Sequence, residues 1–593
     1  MNKLGKFNLL DEPWISVIVD DKGQTKEVSL KDLFENAHKY KGLAGEMKTQ
    51  DFAMLRLLLA VLHTVFSRFD ADGKKYEYIK LDDRYRQIEK VNEDDEEDYI
   101  ENLEITLKET WIKLWERGQF PDIIGEYLEK QRDRFFLFDE EYPFFQVRKK
   151  DITEDKINNK TGTQTFGKDI NRLITESGNK IAIFSPKTGN QKNLLQAAEI
   201  ARWLITYHGY TGTAGKTKFV KRTNPSDKKY EEAYSVSNSK GWLYDLGGIY
   251  IKGNNLYETL IFNLVLLHQE KDDQLNLQIP CWEYEVPDLI DKYLHLELFR
   301  PDNLASLYTA WSSAIYIDPE QYDEENKSCC DFSCFIVKLP EVNHEDMFLE
   351  PMTIWKPKDS KKKTENEKTT PIKHKSNESL WRSFGLLSLN HDSDSDIKRT
   401  PGIIKWYEKI KECVGERNIN LYAVSMKDDG NATSWVPVDE VFDELELDNY
   451  VFFDVQENGW VTRISDAIEK TKDVISITYR MYIRDINEIR NIESIGFINR
   501  QIEEMYFIID KPFKNWLLSL KPNDDKDEKV NEWYEVLRDN IEKQAKSLLL
   551  KGNSRDYTGI VDGKFGIKNI ATAYNKFIKN LNIKLPRKGE NYV

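Results

Sequence analysis

Cysteine is scarce in this sequence of 593 residues, and no export signal opens it. The five cysteines stand at positions 281, 329, 330, 334 and 413, a set too small and too irregular for a disulfide framework. The first residues contain no apolar segment of the kind that directs secretion. Both absences favour a protein that works in the reducing cytoplasm.

Long apolar runs are also missing. The most apolar stretch, residues 52–66, is shorter than the roughly 20 residues that cross a bilayer, and it contains Arg56 and His63. We expect it to be a buried helix, and we expect no membrane partner. With 40% hydrophobic and 12% aromatic residues, the chain has ample material for a core.

The sequence has no overall excess of positive charge. Its formal net charge is −16 at pH 7, the wrong sign for a protein that coats nucleic acid with its whole surface. Any contact with DNA must therefore be local. An acidic balance with separate basic segments suits a protein that docks one face on a nucleoprotein and leaves the rest in solvent.

The sequence lacks complete versions of the common enzyme motifs. The eight histidines form no HExxH pair and no Gly-x-Ser-x-Gly elbow occurs, so a zinc protease or a hydrolase triad has no anchor. Residues 209–217 resemble a phosphate-binding P-loop, but five residues instead of four separate Gly209 from Gly215. A predicted helix also precedes this segment, where a P-loop requires a strand. Nucleotide hydrolysis, zinc proteolysis and triad hydrolysis are therefore disfavoured.

A cluster of cysteines leaves a metal site open. The spacing of Cys330 and Cys334 lies within the range of one arm of a zinc site, and Cys329 and His344 are nearby ligand types. No second pair follows at the required distance, which favours partly buried thiols beside a strand. We predict no cofactor, with zinc at Cys329, Cys330 and Cys334 as the alternative. A metal-dependent nuclease would rest on these residues and on scattered acids.

The length of the chain predicts at least two domains, because single cores stop growing near roughly 250 to 300 residues. Residues 1–459 mix helical patterns with strand patterns, such as a hairpin over residues 14–29, and with long polar loops. Residues 460–593 repeat apolar residues at helical spacing, which predicts a bundle of about four helices, with Pro512 interrupting one of them. The predicted fold is α+β, a large mixed N-terminal domain with long loops followed by a four-helix bundle.

Several short motifs follow one another in the order of a known family. Residues 7–15 read Phe-Asn-Leu-Leu-Asp-Glu-Pro-Trp-Ile, and residues 143–146 read Pro-Phe-Phe-Gln. A Phe-Ser-Pro at 184–186 is followed by a predicted helix and by the glycine-rich segment 209–218. This order resembles the CasA family, the large subunit of the type I-E CRISPR Cascade complex. The resemblance covers nearly the whole chain, including its helical C-terminal part.

The resemblance implies a non-catalytic subunit that recognises the protospacer-adjacent motif, a short signal that flanks the target in duplex DNA. It also implies help in opening the strands for pairing with the guide RNA, and recruitment of a helicase-nuclease. The partners would be the other Cascade subunits with their guide RNA, the duplex target DNA and that helicase-nuclease. The alternatives are a protein-binding scaffold without direct DNA contact and the metal-dependent nuclease.

The resemblance assigns DNA contacts to three elements. In the family a glycine loop lies beside the flanking motif, where glycine lets the backbone approach the sugar-phosphate chain and lysine adds charge. A wedge hairpin enters the minor groove with an amide and small residues, although no glutamine stands at its tip in this sequence. A lysine on a strand makes a third contact. The corresponding residues are Gly209, Gly212, Gly215, Lys216 and Lys218 in the loop, Asn431, Ala432 and Thr433 in the wedge, and Lys338 on the strand.

A further loop of the family touches the guide complex and helps to engage DNA. It corresponds to residues 185–193, which lie between the phenylalanine-containing strand and the next predicted helix. Lys187, Asn190 and Lys192 are its candidate contacts, because ammonium and amide groups bind phosphate oxygens.

Overall fold

The computed structural model describes residues 5–89, 96–158, 163–171, 187–212, 217–219, 240–267, 277–294, 301–340, 350–357, 369–389, 400–428, 437–563 and 566–587. The chain forms two compact units. The first comprises Met1–Ser376, Asp396–Cys413 and Leu421–Asp443, and the second comprises Asn377–Ser395, Val414–Asn420 and Glu444–Val593. The chain therefore passes between the units several times before the C-terminal helices begin.

Helices of very different lengths occur before residue 415. They are α1 (Leu30–Asn36), α2 (Lys48–Phe66), α3 (Glu96–Arg117), α4 (Ile123–Lys130), α5 (Gly167–Ile170), α6 (Ala197–Tyr210), α7 (Leu256–Asn263), α8 (Val286–Leu294), α9 (Leu304–Tyr308), α10 (Phe384–Leu387) and α11 (Gly402–Val414). α2 and α6 are buried over most of their length.

The strands are mostly short and form several small sheets. They are β1 (Lys6–Asn8), β2 (Ile15–Ile18), β3 (Thr25–Val28), β4 (Gly42–Leu43), β5 (Phe136–Phe138), β6 (Thr163–Phe166), β7 (Leu195–Gln196), β8 (Gly248–Lys252), β9 (Ser313–Ile317), β10 (Ser328–Cys329), β11 (Ser333–Lys338), β12 (Trp355–Pro357), β13 (Thr369–Pro371), β14 (Asn418–Asp428), β15 (Pro437–Asp448), β16 (Ile560–Asp562) and β17 (Gly566–Lys568). The three-stranded sheets have the orders β3-β2-β4, β6-β11-β9 and β15-β14-β8.

The hairpin predicted near the N-terminus is confirmed. β2 and β3 pair antiparallel with Ile15 opposite Val28. Ser29 then caps α1, because its Oγ accepts a hydrogen bond from the amide of Asp32 at 3.2 Å. The indole of Trp14 is fully buried and donates to the carbonyl of Leu9 at 2.9 Å. The first sequence motif thus ties the N-terminal sheet to the core.

The helix predicted over residues 52–66 is confirmed as the buried α2. By length and composition α2 could cross a membrane, but its apolar window is entirely buried inside the protein, as in the core helix of a globular unit. Arg56 is accommodated there because its guanidinium lies 2.9 Å from the carboxylate of Glu350 and over the ring of Tyr308. A charge is stable in such a core only when it is paired.

The predicted helical bundle is also confirmed. The second unit contains α12 (Asn449–Phe452), α13 (Trp460–Asp473), α14 (Arg480–Ile489), α15 (Gly496–Ser519), α16 (Lys526–Leu550), α17 (Ser554–Thr558) and α18 (Ile570–Lys584). α13 and α14 form one continuous rod through a π-helical turn at Val474–Tyr479. This rod, α15, α16 and α18 are the four members of the bundle, and each packs against at least two of the others.

One detail of the bundle prediction is wrong. Pro512 does not interrupt the helix, since α15 continues through it from Gly496 to Ser519. Proline removes one backbone donor and crowds the preceding turn, at a cost of about 3 kcal/mol. The neighbouring Ile509 and Phe513 are fully buried, and burying side chains of this size is worth about 1.5 to 3 kcal/mol each. Packing on both sides of the proline therefore keeps the helix intact.

Candidate nucleic-acid interface

The glycine loop, residues 209–218, begins at the C-terminal end of α6. The chain that leaves α6 is hydrogen-bonded to the chain that returns at Lys240: the amide of Gly241 donates to Thr211 at 2.8 Å, and the amide of Leu243 donates to Gly209 at 2.8 Å. A helix precedes this loop, as predicted, so the arrangement differs from a P-loop. Two backbone hydrogen bonds thus hold the departing and returning segments together at the base of the loop.

The base leaves no room for a Cβ atom at Gly241 and little room at Gly209. A Cβ atom at Gly241 would overlap with the carbonyl of Gly209, and a Cβ atom at Gly209 would lie 2.9 Å from a methyl group of Leu243. Gly241 was not among the predicted residues. Its only signal in the sequence is a lone glycine between a lysine and a tryptophan, which is too common a pattern to single out.

Lys338 is hydrogen-bonded to both described ends of the glycine loop. It ends β11, its side chain is 4% exposed, and its Nζ donates to the carbonyl of Gly212 at 3.0 Å. The amide of Lys338 also donates to Thr217 at 2.9 Å. The structure therefore brings Lys338, Gly212 and Lys218 together, with Lys338 and Lys218 joined by a parallel bridge.

The backbone of Lys218 is held on its other side by Asn158. The amide of Lys218 donates to Asn158 Oδ1 at 2.9 Å, and the amide of Asn158 donates to the carbonyl of Lys218 at 2.9 Å. The described part of the loop beyond Gly212 is thus fixed between Lys338 and Asn158.

His208 fixes the end of α6 just before the loop. Its Nε2 lies 2.9 Å from the carbonyl of Phe145, its Nδ1 accepts from the amide of Ser312 at 3.4 Å, and its ring stacks on Trp311. These partners assign the proton to Nε2. Complete burial lowers the pKa of His208 to about 4, with a smaller effect from the nearby charge of Lys338, so the ring is neutral at pH 7.

The second sequence motif supplies the partner of this histidine. Phe145 of the Pro-Phe-Phe-Gln segment has a φ of 55°, a left-handed conformation that is rare for a bulky residue. The residue is 4% exposed, and the unusual backbone aims its carbonyl at His208. The motif therefore positions α6 and, through α6, the start of the glycine loop.

The wedge hairpin consists of β14, β15 and the residues between them. Asp428 is the last described residue of β14, and its Oδ2 accepts a hydrogen bond from the hydroxyl of Tyr244 at 2.6 Å. Tyr244 belongs to the segment that returns from the glycine loop. The base of the glycine loop is therefore in direct side-chain contact with the end of β14, next to the residues that connect β14 to β15.

Several residues of the predicted interface lie outside the described residues. They are Gly215 and Lys216 of the glycine loop and Asn431, Ala432 and Thr433 of the wedge hairpin. Their assignment stays a prediction, and the described geometry concerns the bases from which they extend.

The segment predicted to touch the guide complex is described from Lys187 onward. The ammonium of Lys187 donates to the carbonyl of Leu194 at 2.7 Å and lies 2.8 Å from the carboxylate of Glu199. Asn190 and Lys192 lie on the short 3₁₀ helix Gly189–Asn193. This segment packs on the start of α6 through the ion pair, so it adjoins the same helix that leads to the glycine loop.

The cysteine cluster forms no metal centre in the described part of the chain, where no three His, Cys, Asp or Glu side chains are grouped to hold an ion. Cys329 in β10 and Cys334 in β11 are buried, and Cys330 is exposed. Burial raises the pKa of the Cys329 thiol to about 12 and raises that of Cys334 as well. His344 lies outside the described residues.

Comparison with known proteins shows the same fold in several relatives. The sequence matches the family model of the CRISPR-associated protein Cse1 over residues 8–543. A CasA/Cse1 protein of Thermus thermophilus is 30% identical over 293 residues, which span 49% of this chain and 44% of that protein. Cse1 of Thermobifida fusca has a TM-score of 0.72 at 23% identity, with 98% of each chain covered. A chain from a CRISPR RNA-guided surveillance complex has a TM-score of 0.61 at 15% identity, with 97% of this chain and 99% of that chain covered.

The fold is therefore that of a CRISPR-associated protein. Because the family model covers most of the sequence, the chain belongs to the Cse1 family, whose members are also called CasA. The resemblance drawn from the motifs at residues 7–15 and 143–146 is confirmed.

Proposed function

We propose that this chain is the large subunit of a type I-E Cascade complex and that it recognises the protospacer-adjacent motif in duplex DNA. It helps to open the first base pairs so that the guide RNA can pair, and it recruits the helicase-nuclease that cuts the target. Its partners are the other subunits with their guide RNA, the duplex and that effector, in the cytoplasm. The likeness to a chain of an RNA-guided surveillance complex supports the assembly.

The observation that carries the proposal is the contact between Tyr244, at the base of the glycine loop, and Asp428, at the tip end of β14 in the wedge hairpin. Recognition of a flanking motif and separation of the next base pair involve neighbouring positions, only about 3.4 Å apart along one strand. Two elements that extend from one point suit this task. Elements based far apart would reach different parts of the duplex.

The division of labour explains why the contacts are few. Guide RNA reads the target sequence by base pairing, whereas the protein tests only the short flank. Lys218 provides local charge on an acidic protein, whereas Gly212, which is buried, and Gly209, which packs against Gly241 and Leu243, fix the base of the loop. Gly215, Lys216, Asn431, Ala432 and Thr433, outside the described residues, complete the proposed DNA contacts, and Lys338 contributes by holding Gly212. Lys187, Asn190 and Lys192 are the proposed contacts to the guide complex.

The proposal gives the chain no catalytic role, and the arrangement of the cysteines is consistent with this. A nuclease metal site needs several ligands, and in the described part of the chain no three His, Cys, Asp or Glu side chains are grouped to hold an ion. A metal-dependent nuclease at this cluster is therefore disfavoured. Cleavage belongs to the recruited partner.

The test is target binding by a reconstituted guide-RNA complex with and without this chain. Duplex targets carry either the intact flank or a scrambled flank, and the ratio of their dissociation constants is measured at one fixed salt concentration. We expect the ratio to approach one when the chain is omitted. An unchanged ratio would remove flank recognition and favour the protein-binding scaffold.

A charge reversal refines this test. Lys218→Glu changes the described part of the glycine loop, and Lys150→Glu, on an exposed lysine paired with Glu141, is the matched control. We expect the first variant to weaken binding of intact-flank DNA and the second to leave it unchanged. Equal binding by both variants would remove the glycine loop from the DNA interface.

A further inference from the structure

Tyr244 and Asp428 form a side-chain link between two loops that are distant in the sequence. The oxygen atoms are 2.6 Å apart, the distance typical of a hydroxyl that donates to an ionised carboxylate. Asp428 is the last described residue before the tip of the wedge hairpin. Tyr244 follows shortly after the chain returns from the glycine loop. We call this pair the clamp.

The clamp is enclosed by two lysines. The Nζ of Lys373 lies 4.5 Å from the centre of the Tyr244 ring and 3.4 Å from Asp428 Oδ2, and the Nζ of Lys240 lies 5.0 Å from the same ring. Both cations favour the aromatic face, and Lys373 also offsets the charge of the carboxylate. Tyr244 is 7% exposed, so its ring has no free face for stacking on a base. Its contribution must pass through the residues it holds.

The backbone around both Tyr244 and Asp428 is held by hydrogen bonds. The amide of Tyr244 donates to Gly241 at 3.1 Å, and the adjacent Leu243 is bound to Gly209 at the start of the glycine loop. On the other side, Ser425 of β14 donates to the carbonyl of Leu246 at 3.2 Å and forms a second link. Two side-chain links, Tyr244 to Asp428 and Ser425 to Leu246, therefore join the segment that returns from the glycine loop to β14.

We propose that Tyr244 and Asp428 are positioning residues that couple flank recognition to strand opening. This inference rests on the function proposed above. With the clamp in place, engagement of the flank by the glycine loop sets the position of the wedge hairpin. Without the clamp each element still reaches DNA, but opening no longer depends on the identity of the flank.

The experiment measures opening of the first base pair with 2-aminopurine at that position in the target, in the assembled complex. Opening is recorded for intact and scrambled flanks, and their ratio is the readout. Tyr244→Phe removes only the hydroxyl, and we expect it to lower the ratio by about tenfold, as loss of one hydrogen bond to a charged group allows. Binding of a target whose first pairs are already unpaired should stay unchanged, which a general loss of structure would not permit.

Tyr40→Phe is the matched control. The hydroxyl of Tyr40 donates to Asp32 Oδ1 at 3.0 Å in the same unit, and this pair joins neither loop. We expect the control to keep the wild-type ratio. Asp428→Ala, from the other side of the clamp, should lower the ratio as Tyr244→Phe does, and the double variant should add nothing further.

The outcomes separate the two proposals. A wild-type complex whose opening is independent of the flank would reject the proposed function itself. If opening by the wild-type complex depends on the flank, and the Tyr244→Phe and Asp428→Ala complexes show the same ratio as wild type, the clamp alone is rejected. Thermal unfolding of each variant chain shows whether it has kept its fold. If one of Tyr244→Phe and Asp428→Ala has lost its fold, the opening ratio of the other variant tests the clamp.

Discussion

The backbone of Gly241 lies directly against the carbonyl oxygen of Gly209, so closely that a Cβ atom at position 241 would overlap with that oxygen. The amide of Leu243 donates to the same oxygen at 2.8 Å. The two segments at the base of the glycine loop are therefore held at a separation that only glycine permits. Their spacing sets where the loop leaves the protein.

Gly241→Ala should force the two segments apart. We expect an overpacking cost of about 1 to 3 kcal/mol in the free energy of unfolding, together with loss of flank discrimination in the assembled complex. Thermal unfolding and the ratio of dissociation constants measure the two effects. Gly125→Ala in α4 is the control, because a Cβ atom there meets nothing within 4 Å and alanine favours a helix by about 0.5 to 1 kcal/mol. Equal stability of both variants would contradict the close contact at Gly241.

Lys338→Met should uncouple the glycine loop from its support without unfolding the protein. Methionine fills a similar volume, and it removes the cost of burying an ammonium group, which offsets the loss of the hydrogen bond to Gly212. We expect the free energy of unfolding to stay within about 1 kcal/mol of wild type, while flank discrimination falls because Gly212 loses its donor. Lys150→Met on the exposed surface is the control. Wild-type discrimination by Lys338→Met would show that the hydrogen bond to Gly212 has no functional role.

Most of the fold could be predicted because its signals are local. The hairpin at residues 14–29 follows from β-branched residues around a turn, and α2 follows from a continuous apolar run. The bundle follows from apolar residues at helical spacing. Pro512 shows where local reasoning stops: the buried neighbours Ile509 and Phe513 override the intrinsic preference of proline, and their burial is a tertiary property.

The site could be predicted only in part. Tyr244 and Asp428 are 184 residues apart, and no local pattern marks either as a partner of the other. Lys338 is predicted from the family resemblance to contact DNA, but the alternation of side chains along β11 argues that it points into the protein. Cys334, Ile336 and Lys338 share one face of β11, and all three are buried. A lysine that continues an apolar face in a strand is a candidate for an internal hydrogen bond.

Glu283→Gln should strongly destabilise the first unit. The carboxylate of Glu283 accepts from both terminal nitrogens of Arg68, at 2.7 and 2.9 Å, and from the hydroxyl of Tyr127 at 2.6 Å. Arg68 is fully buried, so the variant leaves a guanidinium without its counter-charge, at a cost of about 3 to 5 kcal/mol. Chemical denaturation followed by tryptophan fluorescence measures the change.

The control for this prediction is Glu141→Gln. Glu141 pairs with Lys150 on the surface at 2.8 Å, where both side chains are more than half exposed. Exposed pairs contribute roughly 0 to 1 kcal/mol. Similar denaturation midpoints for the two variants would mean that the buried network does not stabilise the fold.

The stability of the first unit should fall as the pH falls from about 6.5 towards 4, in part through His208. In the unfolded chain histidine takes up a proton near pH 6.5. In the folded protein, burial between Phe145 and Trp311, with Lys338 nearby, lowers the pKa of His208 to about 4. Between these values the unfolded state binds more protons, so the free energy of unfolding decreases by about 1.4 kcal/mol per pH unit as acid is added.

His208→Gln isolates this contribution, because glutamine keeps a donor for the carbonyl of Phe145 but does not titrate. We expect the wild type to lose about 2 kcal/mol more than the variant between pH 7 and pH 5, from equilibrium unfolding at each pH. His38 and His374, whose pKa values burial also lowers, are present in both proteins and cancel in the comparison. Parallel pH profiles would mean that folding does not lower the pKa of His208, and the acceptor role assigned to its Nδ1 would then be wrong.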